Sequence, residues 1–416
     1  MIRIFLIIFL LTFFTIYVII IIGEINMNKV LGLILELNPF HNGHSFFIQE
    51  AKRKVEPDLT IAIVTTNFSM RGDIQVINKF EKTKLLLKDY VDIVLELPYL
   101  GAVCSADYFA YNSVKSLVEL GITDLAFGVE TVDLKNLNYF CSLNRSDEYN
   151  LLIKEYLNKG FSYSTSSVKA IQQITNDNEL AEQFSLPNNT LAIQYLNALE
   201  KLNSNVTVTL IKRISNNYYD EVATCSVASA TSLRKLLQDN YPIDEYVPDI
   251  FKDSHYINIK KAENNLYKLI QYKLTFTDNE KLNNILGMNE GIENRLLSFI
   301  NKDNYFTFIE SIETKRYTKS YLKRLMIHLL LDVPKTLVPQ YYNYLRVLGM
   351  NKKGKLFISK LKKEIKKSII TSFKNHEDDI NVRYELLATK LYSIITEQND
   401  LYLNEYKIPI ILGEQK

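Results

Sequence analysis

Apolar and polar positions follow two different patterns along the chain. Between Lys29 and about Gly128, short Val/Ile/Leu runs such as LTIAIVTT and VDIVLELP alternate with stretches of helical periodicity such as KFEKTKLLLKDY. Near-continuous apolar strands that alternate with amphipathic helices are typical of a parallel sheet covered on both faces. The pattern therefore predicts an α/β fold, a doubly wound parallel sheet whose ligands bind at the carboxyl ends of the strands.

The second half of the chain has a different periodicity. Residues from about 131 to 190 have a helical pattern, strand character returns at VTVTLIKRI, and SVASATSLRKLL predicts a loop entering a helix at Ser229. From about Val247 onward helical periodicity dominates, as in SYLKRLMIHLLL. We expect a boundary between Pro242 and Pro248, with an α/β domain over residues 27–245 and a mainly helical domain over residues 246–416.

Residues 1–26 do not fit either pattern. Residues 4–22 form an uncharged apolar run long enough to span a bilayer, and no small-residue cleavage pattern follows it. It is either a membrane anchor or an upstream extension of a chain whose translation starts at Met27. We favour the extension, because the first predicted strand begins so soon after Met27 that almost no linker to a bilayer remains.

The composition argues against a strongly basic nucleic-acid-binding protein, a zinc protein and a disulfide-rich protein. The chain has 416 residues with 49 Lys and Arg against 47 Asp and Glu, so any affinity for nucleic acid must come from a local patch. Three cysteines, Cys104, Cys141 and Cys225, lack the spacing of a zinc site or of a disulfide framework. No metal ligand is predicted.

The turn after the first strand carries the strongest chemical signal. The segment NPFHNGH holds two of the five histidines, His41 and His44, at the predicted start of a helix. A helix N-terminus has partial positive charge and free N–H groups, so it binds phosphate, and Gly43 lets a ligand approach the backbone. Two imidazoles there can donate hydrogen bonds to charge that develops on a phosphate. The alternative is a capping turn with incidental histidines.

NPFHNGH resembles the HxGH signature of the class I nucleotidylyltransferase and synthetase superfamily. The longer run GLILELNPFHNGHSFFI is similar to the bacterial tRNA(Met) cytidine acetate ligases. Later segments of that family follow in order, namely TTNFSMRGD, INKFEKTKLLL, VDIVLELP, AFGVE, LPNNTLAIQYLNAL, LIKRI, SVASATSLRKLL, TKRYTKSYLKRLMIHLLL and YLRVLGMNKKGKLF. Two positions depart from the family pattern, Thr66 where a glycine is usual and Asn78 where an acidic residue is usual.

The resemblance implies an HxGH nucleotidylyltransferase-like Rossmann fold and an ATP-dependent ligase. Acetate would attack the α-phosphate of ATP to give acetyl-adenylate and pyrophosphate. The wobble cytidine of elongator tRNA(Met) would then take the acetyl group to form N4-acetylcytidine. No cysteine is placed as an acyl carrier, so we expect direct transfer, the alternative being a thioester on Cys104 or Cys225. Mg²⁺ as a companion of ATP is left open.

The resemblance also implies the ATP-binding residues. They are Ile34, Leu35, Glu36, Leu37, Asn38, Pro39, Phe40, His41, Asn42, Gly43, His44, Ser45, Phe46 and Phe47, with Gly128, Asn188 or Asn189, and Arg213. SATSLR resembles the element that nucleotidylyltransferases place against the outer phosphates, which adds Ser229, Thr231 and Arg234. Ordinary turns, helix caps and surface ion pairs are the alternatives for these residues. The candidate catalytic residues are His41, His44, Arg71 and Lys79; for the last two, a solvated basic face is the alternative.

A basic region of the C-terminal half is the candidate tRNA-binding surface. Cations follow phosphates, and tyrosine rings can stack on unpaired bases of an anticodon loop. The alternative is a solvated helix face. The predicted tRNA-binding residues are Lys315, Arg316, Lys319, Lys323, Arg324, Lys352, Lys353 and Lys355.

The expected partners are therefore ATP, acetate and elongator tRNA(Met), with no stable protein partner. We expect the protein to work in the cytoplasm, or at the cytosolic face of a membrane if residues 4–22 are translated. Other functions remain open, namely a nucleotidylyltransferase acting on a small phosphorylated metabolite and a catalytically inactive tRNA-binding protein. A class I aminoacyl-tRNA synthetase fits less well, because no KMSKS-like loop is present.

Overall fold

The computed structural model describes residues 27–130, 133–213, 228–337, 342–362, 368–407 and 409–413. The apolar run at the N-terminus and Cys225 lie outside these residues. Within them, eight strands form one sheet in the order β5-β4-β1-β2-β3-β6-β7, with β8 also paired to β6. The strands are β1 (Val30–Leu35), β2 (Leu59–Val64), β3 (Ile93–Glu96), β4 (Asp124–Val129), β5 (Thr207–Lys212), β6 (Tyr344–Asn351), β7 (Ser368–Ile370) and β8 (Ile410–Leu412).

Strand order places the crevice of the sheet beside β1. Strands β5, β4, β1, β2 and β3 are parallel, and β1 pairs with β2 on one side and with β4 on the other. The chain thus proceeds outward from β1 in one direction through β2 and β3, and in the other through β4 and β5. Such a switch point opens a ligand crevice at the carboxyl ends of the strands. The predicted α/β fold is confirmed.

Helices cover the sheet and form most of the C-terminal half. Helix α1 packs against β1, β4 and β5, and α4 packs against β1 and β2. Short 3₁₀ turns lie at Asp244–Tyr246 and Leu401–Tyr406. The helices are α1 (Asn42–Val55), α2 (Lys79–Asp89), α3 (Tyr99–Ala102), α4 (Ala106–Glu119), α5 (Leu134–Asn144), α6 (Asp147–Asn158), α7 (Tyr163–Thr175), α8 (Asn178–Ser185), α9 (Pro187–Lys201), α10 (Ala230–Gln238), α11 (Asp249–Lys252), α12 (Ile259–Phe276), α13 (Asn279–Asn283), α14 (Ile292–Ser298), α15 (Tyr305–Ile312), α16 (Lys319–Leu330), α17 (Lys352–Leu361) and α18 (Ile380–Thr396).

The C-terminal half also contributes strands, which the helical periodicity did not predict. Strand β6 runs antiparallel to β3, and β7 and β8 pair parallel to β6. Seven of the eight β6 residues are buried, so its apolar run YLRVLGMN matches an interior strand. The division at residues 245 and 246 stays a prediction, since the two parts share this sheet.

A buried network of charges joins the two halves. The Lys79 ammonium on α2 lies 2.5 Å from Glu96, 2.9 Å from Glu385 and 2.5 Å from Glu405. Arg346 on β6 pairs with Glu96 at 2.7 Å and also with Glu405. The nearby carboxylates raise the pKa of Lys79 despite its burial, so the ammonium stays charged. Each charge is compensated only while its partners are present.

Replacing Lys79 with Met should strongly destabilise the protein. The substitution leaves three buried carboxylates with one cation, and breaking a buried ion pair in this way costs about 3–5 kcal/mol. Denaturant unfolding measures the change in the free energy of unfolding. The control is Lys319→Met, because the Lys319–Glu310 pair is about half exposed and such pairs contribute about 0–1 kcal/mol. Equal small losses in both variants would contradict the role of the network.

Candidate functional site

The turn between β1 and α1 is fixed by contacts to neighbouring segments. The Asn38 side chain donates to Ile74 O at 3.0 Å and accepts from Val76 N–H at 2.9 Å. Both ends of its amide are thus used, so Asn38 ties the turn to the 65–78 loop rather than bonding within the turn. The Phe40 ring stacks on Phe251, with centroids 4.2 Å apart. These contacts hold the start of α1 in one position.

His41 and His44 form a reciprocal cap at the start of α1. His41 Nδ1 accepts a hydrogen bond from Gly43 N–H at 3.1 Å, and His44 Nδ1 accepts one from His41 N–H at 3.3 Å. The ring centroids lie 3.8 Å apart. Because each Nδ1 accepts a backbone N–H, a neutral ring carries its proton on Nε2. The capping alternative is thus real, but it leaves each Nε2–H available as a donor.

Both imidazoles are held neutral. Desolvation, with Arg213 adding to it, lowers the pKa of His41 to about 3. Desolvation also lowers the pKa of His44 well below its usual value, with further contributions from His41, Arg213 and Lys82. The site therefore combines neutral N–H donors, a helix N-terminus and nearby cations, an arrangement that binds anions.

The second wall comes from the ends of β4 and β5. A Cβ at Gly128 would lie 3.4 Å from Arg213 Cγ, so the arginine side chain lies close over this bare backbone. Arg213 Nη1 donates to Asn188 Oδ1 at 2.7 Å. Since Arg213 also influences both histidines, the structure brings Gly128, Asn188 and Arg213 to the same crevice as the HNGH turn.

Glu130 organises this wall, although no role was predicted for this last residue of the AFGVE segment. It follows β4, and its carboxylate accepts N–H groups at the start of α9, from Asn188 at 3.2 Å and Asn189 at 2.9 Å. A carboxylate is stabilised at a helix N-terminus. Asn189 is 1% exposed, accepts from Glu130 N–H at 3.1 Å and donates to Gln183 O at 2.9 Å. Asn189 is therefore a structural residue, and Asn188 is the half-buried one beside Arg213.

Helix α10 brings Arg234 to the turn. Arg234 Nη1 donates to Asn38 O at 2.7 Å, and Nη2 donates to Thr231 at 3.3 Å and lies 3.6 Å from Asp73. Ser229 Oγ accepts the Ser232 N–H at 3.1 Å, which is the helix-capping alternative considered above. Of the SATSLR residues, Arg234 is the one that reaches the turn directly.

Lys79 does not lie in the crevice. Its position agrees neither with the predicted catalytic role nor with the alternative of a solvated basic face. Its side chain is 0% exposed within the charge network, so it is neither a ligand-binding cation nor part of a solvated face.

Sequence reasoning missed the neighbouring Lys82. Its ammonium donates to Glu36 O at 3.2 Å, Thr65 O at 3.3 Å and Gln75 Oε1 at 2.7 Å. Desolvation lowers the pKa of Lys82 to about 7. Lys82 thus joins the ends of β1 and β2 behind His44.

The two departures from the family pattern are accommodated. Thr66 donates to Glu385 at 3.0 Å, so its hydroxyl joins the buried network. Asn78 caps α2 by accepting from Glu81 N–H at 3.0 Å, a position where Asn serves as well as Asp. Neither substitution disturbs the turn that carries the histidines.

The predicted tRNA-binding residues divide into two groups. Lys323 pairs with Asp73 at 2.6 Å and Arg324 donates to Met70 O at 3.4 Å, so both hold the 65–78 loop. Gly72 in that loop has φ +81°, and a Cβ there would lie 2.6 Å from Arg324 N. The others lie on or near the surface. Among them, Arg316 pairs with Glu290, Lys319 with Glu310, and Lys315, Lys352, Lys353 and Lys355 are exposed.

The described residues include neither a metal-binding cluster nor a membrane-spanning helix. No group of three or more His, Cys, Asp or Glu residues in this part of the chain has a geometry that holds a metal ion. Among the helices described, none is long and apolar enough to cross a membrane.

The chain is similar to known proteins over most of its length. The model of the HIGH nucleotidyl transferase family matches residues 27–405. A tRNA(Met) cytidine acetate ligase of Thermoanaerobacter sp. strain X514 is 33% identical, covering 92% of this chain and 97% of that protein. One from Thermosipho africanus is 36% identical, covering 83% and 85%. The crystal structure of Thermotoga maritima TmcAL bound with alpha-thio ATP aligns with a TM-score of 0.83 and 27% identity, covering 92% and 99%.

The neutral histidines should make the protein less stable in acid. Between about pH 6.5 and the native pKa of about 3, unfolded His41 binds a proton that native His41 does not. The free energy of unfolding should therefore fall by up to about 1.4 kcal/mol for each pH unit lost in this window. His41→Asn keeps a good cap and does not titrate, so it should show a shallower acid slope.

Denaturant unfolding at a series of pH values measures both slopes. The reference is measured well above pH 6.5, because there the imidazole is neutral in both the folded and the unfolded state. At that pH, the difference in the free energy of unfolding between the two proteins reports only capping and packing. Identical acid slopes for the wild type and His41→Asn would contradict a buried neutral His41.

Proposed function

The chain belongs to the tRNA(Met) cytidine acetate ligase family of HIGH nucleotidyl transferases, and we propose that it acetylates the wobble cytidine of elongator tRNA(Met). Acetate attacks the α-phosphate of ATP, which gives acetyl-adenylate and pyrophosphate. The exocyclic amine of the cytidine then attacks the acetyl carbon, and AMP leaves. ATP and tRNA are cytoplasmic substrates, so we place the reaction in the cytoplasm.

One observation carries this proposal. Two neutral imidazoles present Nε2–H donors at the N-terminus of α1, beside Arg213 at the switch point of the sheet. Adenylyl transfer develops negative charge on the α-phosphate and on the departing pyrophosphate, and fixed donors stabilise that charge. We assign this role to His41 and His44, with Arg213 and Arg234 as the guanidinium partners of the phosphates.

Direct transfer from the adenylate fits the chemistry of Cys104 and Cys141, while the alternative of a thioester on Cys225 lies outside the described residues. Burial raises the pKa of the Cys104 thiol, and it raises the pKa of Cys141 to about 12. A thiol with so high a pKa is rarely a thiolate, the form that acts as a nucleophile. A thioester on either cysteine is therefore disfavoured, and positioning of the adenylate supplies the second step.

The exposed lysines remain the proposed contacts to tRNA. Lys315 lies near the start of α16, and Lys352, Lys353 and Lys355 lie on the first turn of α17. Exposed cations of this kind follow a phosphate backbone. We exclude Lys323 and Arg324 from the proposed tRNA-binding surface, because both side chains bind the 65–78 loop.

Acetate-dependent ATP–pyrophosphate exchange tests the proposed function. The wild-type protein should exchange pyrophosphate only when acetate is present, and tRNA(Met) treated with ATP and acetate should contain N4-acetylcytidine by mass spectrometry. His44→Ala should lower the exchange rate about 10²–10³-fold, because a donor to the developing charge is lost. Exchange that depends on a phosphoester or an amino acid instead of acetate would support a rival enzyme, and no exchange would support an inactive binding protein.

Asn188 and Asn189 offer a matched pair of neighbouring substitutions. Asn188→Ala should weaken ATP binding about tenfold, because Arg213 loses a hydrogen bond that helps to orient it over Gly128. Asn189→Ala should instead lower the free energy of unfolding by about 1–3 kcal/mol, because buried backbone groups lose their partners. Calorimetric titration with ATP and denaturant unfolding measure the two effects. The assignment is wrong if the two variants behave alike in both measurements.

A further inference from the structure

Glu36 is a carboxylate at the edge of the crevice. It directly follows β1 and precedes the turn that carries the histidines. Its Oε1 accepts the Met70 N–H at 2.6 Å, so the side chain is held by the 65–78 loop. Its other carboxylate oxygen receives no hydrogen bond from the described residues, and the residue is half-buried rather than enclosed. The carboxylate is therefore both fixed and open on one side.

Charged or ionisable groups from four elements lie near this carboxylate. The 65–78 loop contributes Arg71 and Asp73, α10 contributes Arg234, and Lys82 on α2 and Tyr195 on α9 are also near enough to interact. Desolvation raises the pKa of Glu36, and Asp73 adds to this effect. The Met70 N–H, Arg71 and Arg234 act in the opposite direction. The result is a carboxylate more basic than one in water.

The second step of the proposed reaction needs a proton acceptor. When the cytidine N4 forms its bond to the acetyl carbon, the bond from that carbon to the phosphate oxygen of AMP breaks. One of the two N4 protons must also leave, while AMP departs as an anion. The first step has no such need, because acetate attacks as a carboxylate and no proton moves.

The other titratable groups of the site are poorly suited to accept this proton. The Nδ1 atoms of His41 and His44 are occupied by backbone N–H groups, and their Nε2 atoms already carry protons. The Lys82 nitrogen is fully buried and donates to three acceptors. Asp73 faces two cations, with Oδ1 2.6 Å from the Lys323 ammonium and Oδ2 3.6 Å from the Arg234 guanidinium. Of the two carboxylates, Glu36 is the one with an oxygen that has neither a hydrogen bond nor an ion pair among the described residues.

We propose that Glu36 is the general base of acetyl transfer and takes the N4 proton on the carboxylate oxygen that Met70 leaves free. This inference rests on the function proposed above. It assigns Glu36 to the second step of the reaction and gives it a role distinct from holding ATP.

The substitution Glu36→Gln tests the proposal, because a glutamine oxygen can still accept the Met70 N–H but cannot take a proton. The readout is the ratio of two rates, single-turnover acetyl transfer to tRNA(Met) and acetate-dependent pyrophosphate exchange. The ratio should fall about 10²–10⁴-fold, the usual contribution of a general base. Glu130→Gln is the matched control, since both Glu130 oxygens accept backbone N–H groups and its loss should affect both rates alike.

The pH profile distinguishes a base from a structural residue. Wild-type transfer should slow as the pH falls through the raised pKa of Glu36 and the carboxylate becomes protonated, and this acid limb should be absent from residual transfer by Glu36→Gln. An unchanged ratio in Glu36→Gln overturns the proposal. If that variant does not fold, a wild-type transfer rate without an acid limb overturns it instead. Wild-type protein without acetate-dependent exchange would overturn the proposed function, which is a separate result.

Discussion

The site depends on two hydrogen bonds from the backbone to imidazole nitrogens. Gly43 N–H and His41 N–H each donate to an Nδ1 atom, which fixes both the tautomer and the orientation of the rings. Free imidazoles at neutral pH would be partly protonated and would rotate. Here they are neutral, and each has its only N–H on the outer nitrogen. The cap that starts α1 and the donor pair that we propose for a phosphate are therefore the same structure.

The C-terminal half supports this turn from behind and from the side. Glu385 on α18 binds Lys79 and Thr66, so the buried network extends to the first residues of the 65–78 loop. Lys323 and Arg324 on α16 hold the middle of that loop, where Glu36 and Asn38 attach. These two basic residues, which were predicted to bind tRNA, thus hold the loop beside the crevice.

The local pattern of residues was sufficient to predict much of the fold and the centre of the candidate site. Strands β1–β5 and helix α1 lie where the periodicity predicted them, and HNGH marked the turn because its residue types and its place after a strand are both local. Lys79 was misjudged because its partners Glu385 and Glu405 are about 300 residues away. Glu130 and Lys82 were missed because their roles arise from backbone groups of other elements, which no residue pattern reveals. Strand β6 was missed because its short apolar run lies among segments of helical periodicity, and its partner β3 is distant in the sequence.

The two proposed steps make opposite demands on one site. Adenylate formation needs donors to stabilise negative charge and moves no proton, whereas amide formation needs an acceptor for a proton. Histidines that titrated near neutral pH would serve either step only in part, since protonation would change their number of donors. A pair of permanent donors in His41 and His44, together with a separate carboxylate in Glu36, avoids this conflict. All three lie within the segment from Glu36 to His44, so one strand-to-helix turn can present both kinds of group to successive substrates.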